Sequence, residues 1–200
     1  NSANPWQPVL TWDTNSNYAK NNSDPRYYSE SFPGYGVSNP ATHSCKDFPN
    51  ANEMSWYSTY GDPHWDRDEL WTTMGHLYKS VIWFKKKSVL QAEGYYKIEK
   101  SADNTTDLRT TFKNYVNNII NPSAPSAADA GNYFYLPALV WYDSGRLSSV
   151  GYMGCYWSSS AYSIEIVWGA RRAYSLLIRY GLVSVIYDSR YLGLRVGGFE

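Results

Sequence analysis

The chain is poor in the side chains that most often move protons or hold metals. Among its 200 residues there are three histidines, His43, His64 and His76, and two cysteines, Cys45 and Cys155. Two cysteines exclude a disulfide-built scaffold and match no zinc-ligand spacing; one bridge and two free thiols both remain open. Net charge is absent too, with 18 basic and 18 acidic side chains. That balance lacks the electrostatic footprint of a nucleic-acid binder or a membrane-surface protein. No stretch approaches the ~18 consecutive apolar residues of a membrane span, so direct membrane insertion is not expected. The opening Asn1-Ser2-Ala3-Asn4-Pro5 has neither the basic nor the apolar part of a signal peptide, so no signal or anchor is expected in this chain. No HExxH, GxSxG, GxGxxG or P-loop motif occurs. No catalytic residue, no metal and no cofactor are therefore expected.

What the chain has in excess is aromatic: 20 Tyr, 9 Trp and 6 Phe. A buried phenol needs a hydrogen-bond partner, so twenty tyrosines exceed what one core absorbs. Many are expected on the surface, and Tyr-rich surfaces are typical of recognition faces.

Residues 1–50 are rich in Asn, Ser, Pro, Asp and Gly and show no sustained period, which predicts an irregular arm packed on the domain. Residues 51–92 read as helical. Asn50 with Glu53 three positions on is a capping-box pattern. After the break at Gly61-Asp62-Pro63, residues 66–79 start with acids, end with a base and place Leu70, Met74, Leu77 and Tyr78 on one helical stripe. Val81–Phe84 is a short buried run. A further helix is predicted over 105–120, with Leu108, Phe112, Tyr115 and Ile119 as its stripe. From Asn132 the character turns to strands: 133–142, then 173–178 and 182–187 joined at Arg179-Tyr180-Gly181 as a hairpin, then 194–196. Helices followed by strands make an α+β domain.

The densest polar cluster is Asp62, His64, Asp66, Asp68 and Glu69. Its spacing departs from a calcium loop, and its acids read better as a helix start. His76 reads as a hydrogen-bonded structural residue rather than a base. The informative region is 156–196. In the hairpin, Leu176, Ile178, Val183 and Val185 share one face, which is uniformly apolar. The other face mixes Ser175, Leu177, Arg179, Leu182, Ser184 and Ile186 without a chemical theme. Leu and Ile on a face that ought to be solvated mark contact residues; a hairpin buried between two core layers is the plain alternative.

Several segments carry a resemblance. They are Gly61-Asp62-Pro63-His64-Trp65, the run from Leu70 to Lys79, Leu136-Pro137-Ala138, Gly151-Tyr152-Met153-Gly154-Cys155-Tyr156-Trp157-Ser158-Ser159-Ser160, the hairpin from Ala173 to Val185, and Arg190 to Val196. Together, over about residues 50–200, they resemble the bacterial major-paralogous surface-domain family, whose C-type-lectin-like fold is akin to that of formylglycine-generating enzymes. The C-terminal layout also resembles the variable proteins of diversity-generating retroelements, phage tropism determinants among them, in which mutagenic reverse transcription at template adenines diversifies chosen positions. The resemblance implies a C-type-lectin-like domain over 51–200, helices in its N-terminal half, a small antiparallel sheet with long irregular loops in its C-terminal half, and a variable region at 156–196. It implies displayed, ligand-binding positions Ile164, Ile166, Arg172, Ser175, Leu177, Arg179, Tyr180, Leu182, Ser184, Ile186, Tyr191, Leu192 and Leu194. Scaffold positions would be Trp157, Ser158, Leu176, Ile178, Gly181, Val183, Val185, Arg190, Gly193, Arg195 and Val196. The expected function is non-enzymatic: an adhesin-like receptor for a protein or other surface ligand, not for nucleic acid, on a cell surface, secreted or on a phage particle. The alternatives are a fixed-sequence glycan-binding or structural module of the same family and an enzyme of the formylglycine-generating type. Cys155 stands alone near the C-terminus, so that catalytic activity is not carried over.

Overall fold

The computed structural model describes residues 44–73, 76–143, 146–147, 149–162, 172–190, 192–194 and 199–200. The first 43 residues of the expected arm lie outside them. The described chain is α+β, with few helices and antiparallel sheets.

Helix α1 (Ala51–Tyr60) follows the capping box read from the sequence: Asn50 accepts from the Glu53 N–H, and the Glu53 carboxylate accepts from the Asn50 N–H at 2.8 Å. It lies in the core, with Met54 and Trp56 fully buried. The next segment corrects the sequence reading. Residues 66–73 and 76–79 are not helical; β1 (His64–Thr73) and β2 (His76–Lys85) form an antiparallel pair there, and Met74 of the expected stripe lies outside the described residues. The stripe fails with it, since Leu70 is 45% exposed while Leu77 and Tyr78 are buried. Trp and Thr recur in β1, and Val, Ile, Trp and Phe follow one another in β2; such side chains fit a pleated surface better than a helix. Trp71 stands directly opposite Tyr78 and stacks on it at 5.1 Å, a cross-strand pair no single helix could form. The acids thought to start that helix serve a bulge instead: Asp66 Oδ1 accepts from the N–H groups of Asp68 and Glu69 at 2.9 and 3.2 Å.

A short helix α2 (Lys87–Ala92) follows. The helix expected over 105–120 is also absent; a loop runs to the three-residue strand β3 (Tyr115–Asn117). Phe112 and Ile119 of the expected stripe are 43% and 86% exposed. Short polar side chains outcompete the helix here. Asp103 accepts from the N–H groups of Thr105 and Thr106 and from Lys113 Nζ, at 2.9, 2.8 and 2.7 Å. Asp107 takes the Nε and N–H of Arg109 and the Asn52 amide, tying the loop to α1.

The strand expected over 133–142 is two: β4 (Tyr133–Pro137) beside β2, and β5 (Trp141–Asp143), which pairs with β6 (Arg146–Leu147) and β10 (Gly193–Leu194). The main sheet has four strands in the order β3-β9-β8-β7, where β7 is Met153–Tyr162, β8 is Arg172–Arg179 and β9 is Leu182–Ser189. The predicted hairpin is thus present, turning at Tyr180-Gly181 with Gly181 at φ +77°. One face of this sheet packs on α1, and Tyr156, Tyr174, Leu176, Ile178, Val183 and Val185 meet it there, each at most 1% exposed. Gly154 is required where β7 passes β8, because a Cβ would meet Ile178 at 2.6 Å.

Tyrosine is used in this core more heavily than composition suggested. Tyr57, Tyr78, Tyr96, Tyr115, Tyr156, Tyr162 and Tyr174 are all buried. Their hydroxyls find partners: Tyr156 donates to the Pro137 carbonyl and Tyr174 to that of Leu108, each at 2.6 Å, and Tyr57 to Glu200 at 2.9 Å. Among the described residues, the exposed Tyr95, Tyr135, Tyr152 and Tyr180 lie at separate places in the fold.

Candidate functional site: the outer face of the main sheet

Directly paired residues of an antiparallel ladder share a face. The face turned away from α1 therefore carries, strand by strand, Met153–Arg179–Leu182, then Cys155–Leu177–Ser184–Val116, then Trp157–Ser175–Ile186. The alternation expected from the sequence is present: Leu176, Ile178, Val183 and Val185 are core, and the mixed set lies opposite.

The exposure of that set is uneven. Arg172, Arg179 and Tyr180 are exposed; Leu177, Leu182, Ile186, Leu192 and Leu194 are half-buried. Ser175 and Ser184 are buried at 0% and 4% exposure and do not belong among displayed positions. They are small residues at the centre of the face, between larger neighbours on both flanking strands, and they form its floor. Ile164, Ile166 and Tyr191 lie outside the described residues.

Among the scaffold positions, Leu176, Ile178, Val183, Val185 and Ser158 are buried, Gly181 makes the turn, and Gly193 is half-buried in β10. Arg190 is exposed, its Nε donating to the Arg172 carbonyl at 3.1 Å. Arg195 and Val196 lie outside the described residues. Trp157, also named among the scaffold positions, is half-buried and on the outer face, opposite Ser175. Strand parity is the reason: in β7 the core position falls on Tyr156, one residue earlier, and that ring is the anchor.

A polar diagonal crosses the floor. Ser175 Oγ donates to Asp188 Oδ2 at 2.9 Å, and the Cys155 thiol approaches the same oxygen at 3.6 Å. Burial, and then the Asp188 carboxylate, push the Cys155 thiol well above its ordinary range, so it stays protonated. Cys45 and Cys155 are both free thiols, which settles the pairing left open by the sequence. A protonated thiol and a hydroxyl bound to a carboxylate, with no imidazole beside them among the described residues, make a poor nucleophile site.

The Asp62–Glu69 cluster is dispersed rather than gathered on one ion. Asp62 accepts from the Tyr133 hydroxyl at 2.7 Å and the Asn121 amide at 3.2 Å, and His64 Nδ1 meets the Ser123 carbonyl at 2.9 Å. Among the described residues no group of three His, Cys, Asp or Glu is placed to hold a metal. No helix among them is long and apolar enough to cross a membrane.

One participant was missed by sequence reasoning. Arg67, from the β1 bulge, lies over the ring of Tyr180 at 4.4 Å, and Trp65 meets that ring edge-on at 6.3 Å. The only available signal was an exposed-type Arg flanked by acids, and nothing in the sequence links it to a turn over a hundred residues away. No protein-family model, curated protein or solved structure matches the chain.

Proposed function

We propose that this chain is a non-enzymatic ligand-binding domain of C-type-lectin-like type, which presents the outer face of β7, β8 and β9 to a protein or other surface ligand. The observation that carries the reading is the split between the two faces of one hairpin. Positions 176, 178, 183 and 185 are sealed in the core, while Leu177, Leu182 and Ile186 keep part of their apolar surface in solvent beside exposed Arg179 and Tyr180. Partly exposed aliphatic side chains grouped on one sheet face cost solubility, and contact with a partner is the usual return. A backbone held from the other side tolerates changes at such positions, as the resemblance to retroelement variable proteins requires. On this reading the domain acts at a cell surface, free outside the cell, or on a phage particle.

The burial of Ser175 and Ser184 favours a second reading: a fixed-sequence structural module of the same surface family, in which this face is an inner layer. One experiment separates them. A displayed random-peptide library is panned on the wild type and counter-selected on Leu177→Asn/Leu182→Asn/Ile186→Asn. Peptides that bind only the wild type, with both proteins folded, support ligand display. A variant that unfolds, or a selection that yields no face-dependent binder, refutes it. The genomic counterpart is a near-copy of the 3′ coding region with adenines at the displayed codons, beside a reverse transcriptase.

A further inference from the structure

Where the last turn of α1 meets the edge strand β3, Thr59, Tyr60, Asp62, Asn114, Val116 and Ile119 line one cleft of about 510 Å³. That volume is within the range of small-molecule sites. Part of the lining is apolar, since Val116 and Ile119 are 45% and 86% exposed. The rest is polar and largely unspent. Asp62 takes one donor on each carboxylate oxygen, the Asn121 amide at 3.2 Å on Oδ1 and the Tyr133 hydroxyl at 2.7 Å on Oδ2. Each oxygen can accept two donors, so each keeps a lone pair, and 43% of the side chain is open to solvent. His64 Nε2 stands off at 3.5 Å from Oδ2, and no Lys or Arg lines the cleft. Among the described residues nothing bonds to the Asn114 amide or to the Thr59 and Tyr60 hydroxyls. Asn117 is spent by contrast: it donates to the Ser58 carbonyl at 2.9 Å and accepts the Ile119 N–H at 2.8 Å. Tyr60 stacks on Tyr95 at 4.1 Å, nearly parallel, so a ligand meets a ring that is already ordered.

We propose that this cleft binds a neutral hexose, free or at the end of a glycan chain, with Asp62 and Asn114 as its principal hydrogen-bonding residues. Neighbouring sugar hydroxyls donate as a pair to two oxygens of one carboxylate, and an amide answers both donors and acceptors on the ring. The C–H surface of the ring suits the aliphatic side of the cleft. An acidic sugar would meet Asp62 with no Lys or Arg in the lining to offset the repulsion. Contact is direct, because no group of three His, Cys, Asp or Glu among the described residues is placed to hold a metal. The site goes beyond display by the outer sheet face, with which it shares Val116.

The test is an array of neutral and acidic glycans, with free hexoses as competitors. Wild type is expected to hold a subset of the neutral glycans, equally with and without a chelator, and to release them to at least one free hexose. Asp62→Asn keeps the left-handed turn at φ +46°, which Asn tolerates, and an acceptor for Tyr133. It should melt like wild type and bind about tenfold more weakly, the worth of a hydrogen bond to a charged acceptor. Asn114→Ala, which removes no bond within the described fold, should cost about fivefold. Should Asp62→Asn fail to fold, Asn114→Ala decides alone. Absence of glycan binding, preference for acidic glycans, loss in chelator, or binding that no free hexose displaces overturns the proposal. So does binding that neither substitution weakens. Leu177→Asn/Leu182→Asn/Ile186→Asn separates this site from the sheet face and should keep the glycans. Glycans lost by that variant but kept by both cleft variants overturn the cleft and leave display standing.

Discussion

On the inner face of the β7–β8–β9 ladder, Tyr156, Leu176, Ile178, Val183 and Val185 are each at most 1% exposed. One residue along the same strands, Leu177, Leu182 and Ile186 are half-buried and Arg179 is exposed. Both faces carry Leu, Ile or Val, so aliphatic side chains alone do not tell them apart, although across 175–179 and 182–186 only the outer one mixes in Ser and Arg. What differs is the partner: the inner face has α1 against it, with Met54, Trp56 and Tyr57 fully or almost fully buried. Hydrophobicity alone therefore marks two different roles, and only the opposing layer decides between them.

The largest effect that tests this contrast is a pair of truncations. Ile178→Ala should cost about 2–5 kcal/mol, the usual range for emptying a closed core site. Ile186→Ala, from the other face, should cost clearly less, about 1 kcal/mol, because part of its surface is already in water. Urea denaturation of both proteins checks it, and equal losses would erase the distinction. Next is Gly154→Ala. Its new methyl would meet Ile178 at 2.6 Å with the Pro137 carbonyl at 3.0 Å behind it, so overpacking of about 1–3 kcal/mol is expected in a thermal melt. Tyr174→Phe removes the donor for the buried Leu108 carbonyl, which should lower stability by about 1–2 kcal/mol and loosen the 103–115 loop first, as amide exchange would report.

A pH effect follows from the same loop. Arg109, then Asn52, hold the Asp107 carboxyl well below its ordinary range. Burial alone would raise Asp103, but Lys113 and the Thr106 donors outweigh it and hold that carboxyl low as well. Both folded values are depressed, so their stabilisation is complete above the ordinary carboxyl range, near about pH 4, and is lost as pH falls through the lower folded values. Urea midpoints should be level from neutral pH to about 5 and fall below it, with a shallower fall in Asp107→Asn. The smallest effect is on the outer rim. Tyr180→Ala should change stability by about 0.5–1 kcal/mol, the worth of an exposed cation–π contact with Arg67.

The legible parts of the fold were those in which local chemistry and tertiary structure agree. The Asn50–Glu53 box is a local hydrogen-bond pattern, and the hairpin from 172 to 189 is a period-two alternation around a glycine that the turn requires. The expected helix at 66–79 failed because Leu70, Met74, Leu77 and Tyr78 fit a helical stripe by spacing alone, while Trp71 and Tyr78 were a cross-strand pair. The expected helix at 105–120 failed because Asp103 and Asp107 capture backbone and side-chain donors that a helix would leave to solvent. On the candidate site, strand parity placed Ser175, Leu177, Arg179, Leu182, Ser184 and Ile186 opposite the core residues, as the ladder does, whereas Trp157, named as scaffold, lies on that outer face and Arg172, named as displayed, has the parity of Tyr174 and Leu176. Depth was not legible. Ser175 and Ser184 alternate like displayed residues, yet the same face buries them. Arg67 was beyond reach because its partner Tyr180 comes from a distant turn.

The central claim is that ligand is held by the outer face and by no other exposed apolar surface. The direct test is hydroxyl-radical footprinting of the wild type, alone and with a peptide from the panning. Trp157, Leu177, Leu182 and Ile186 are expected to lose labelling on binding, while Tyr95 and Tyr152, exposed elsewhere on the domain, keep it. Protection of Tyr95 or Tyr152 with Leu177, Leu182 and Ile186 unchanged would contradict the account.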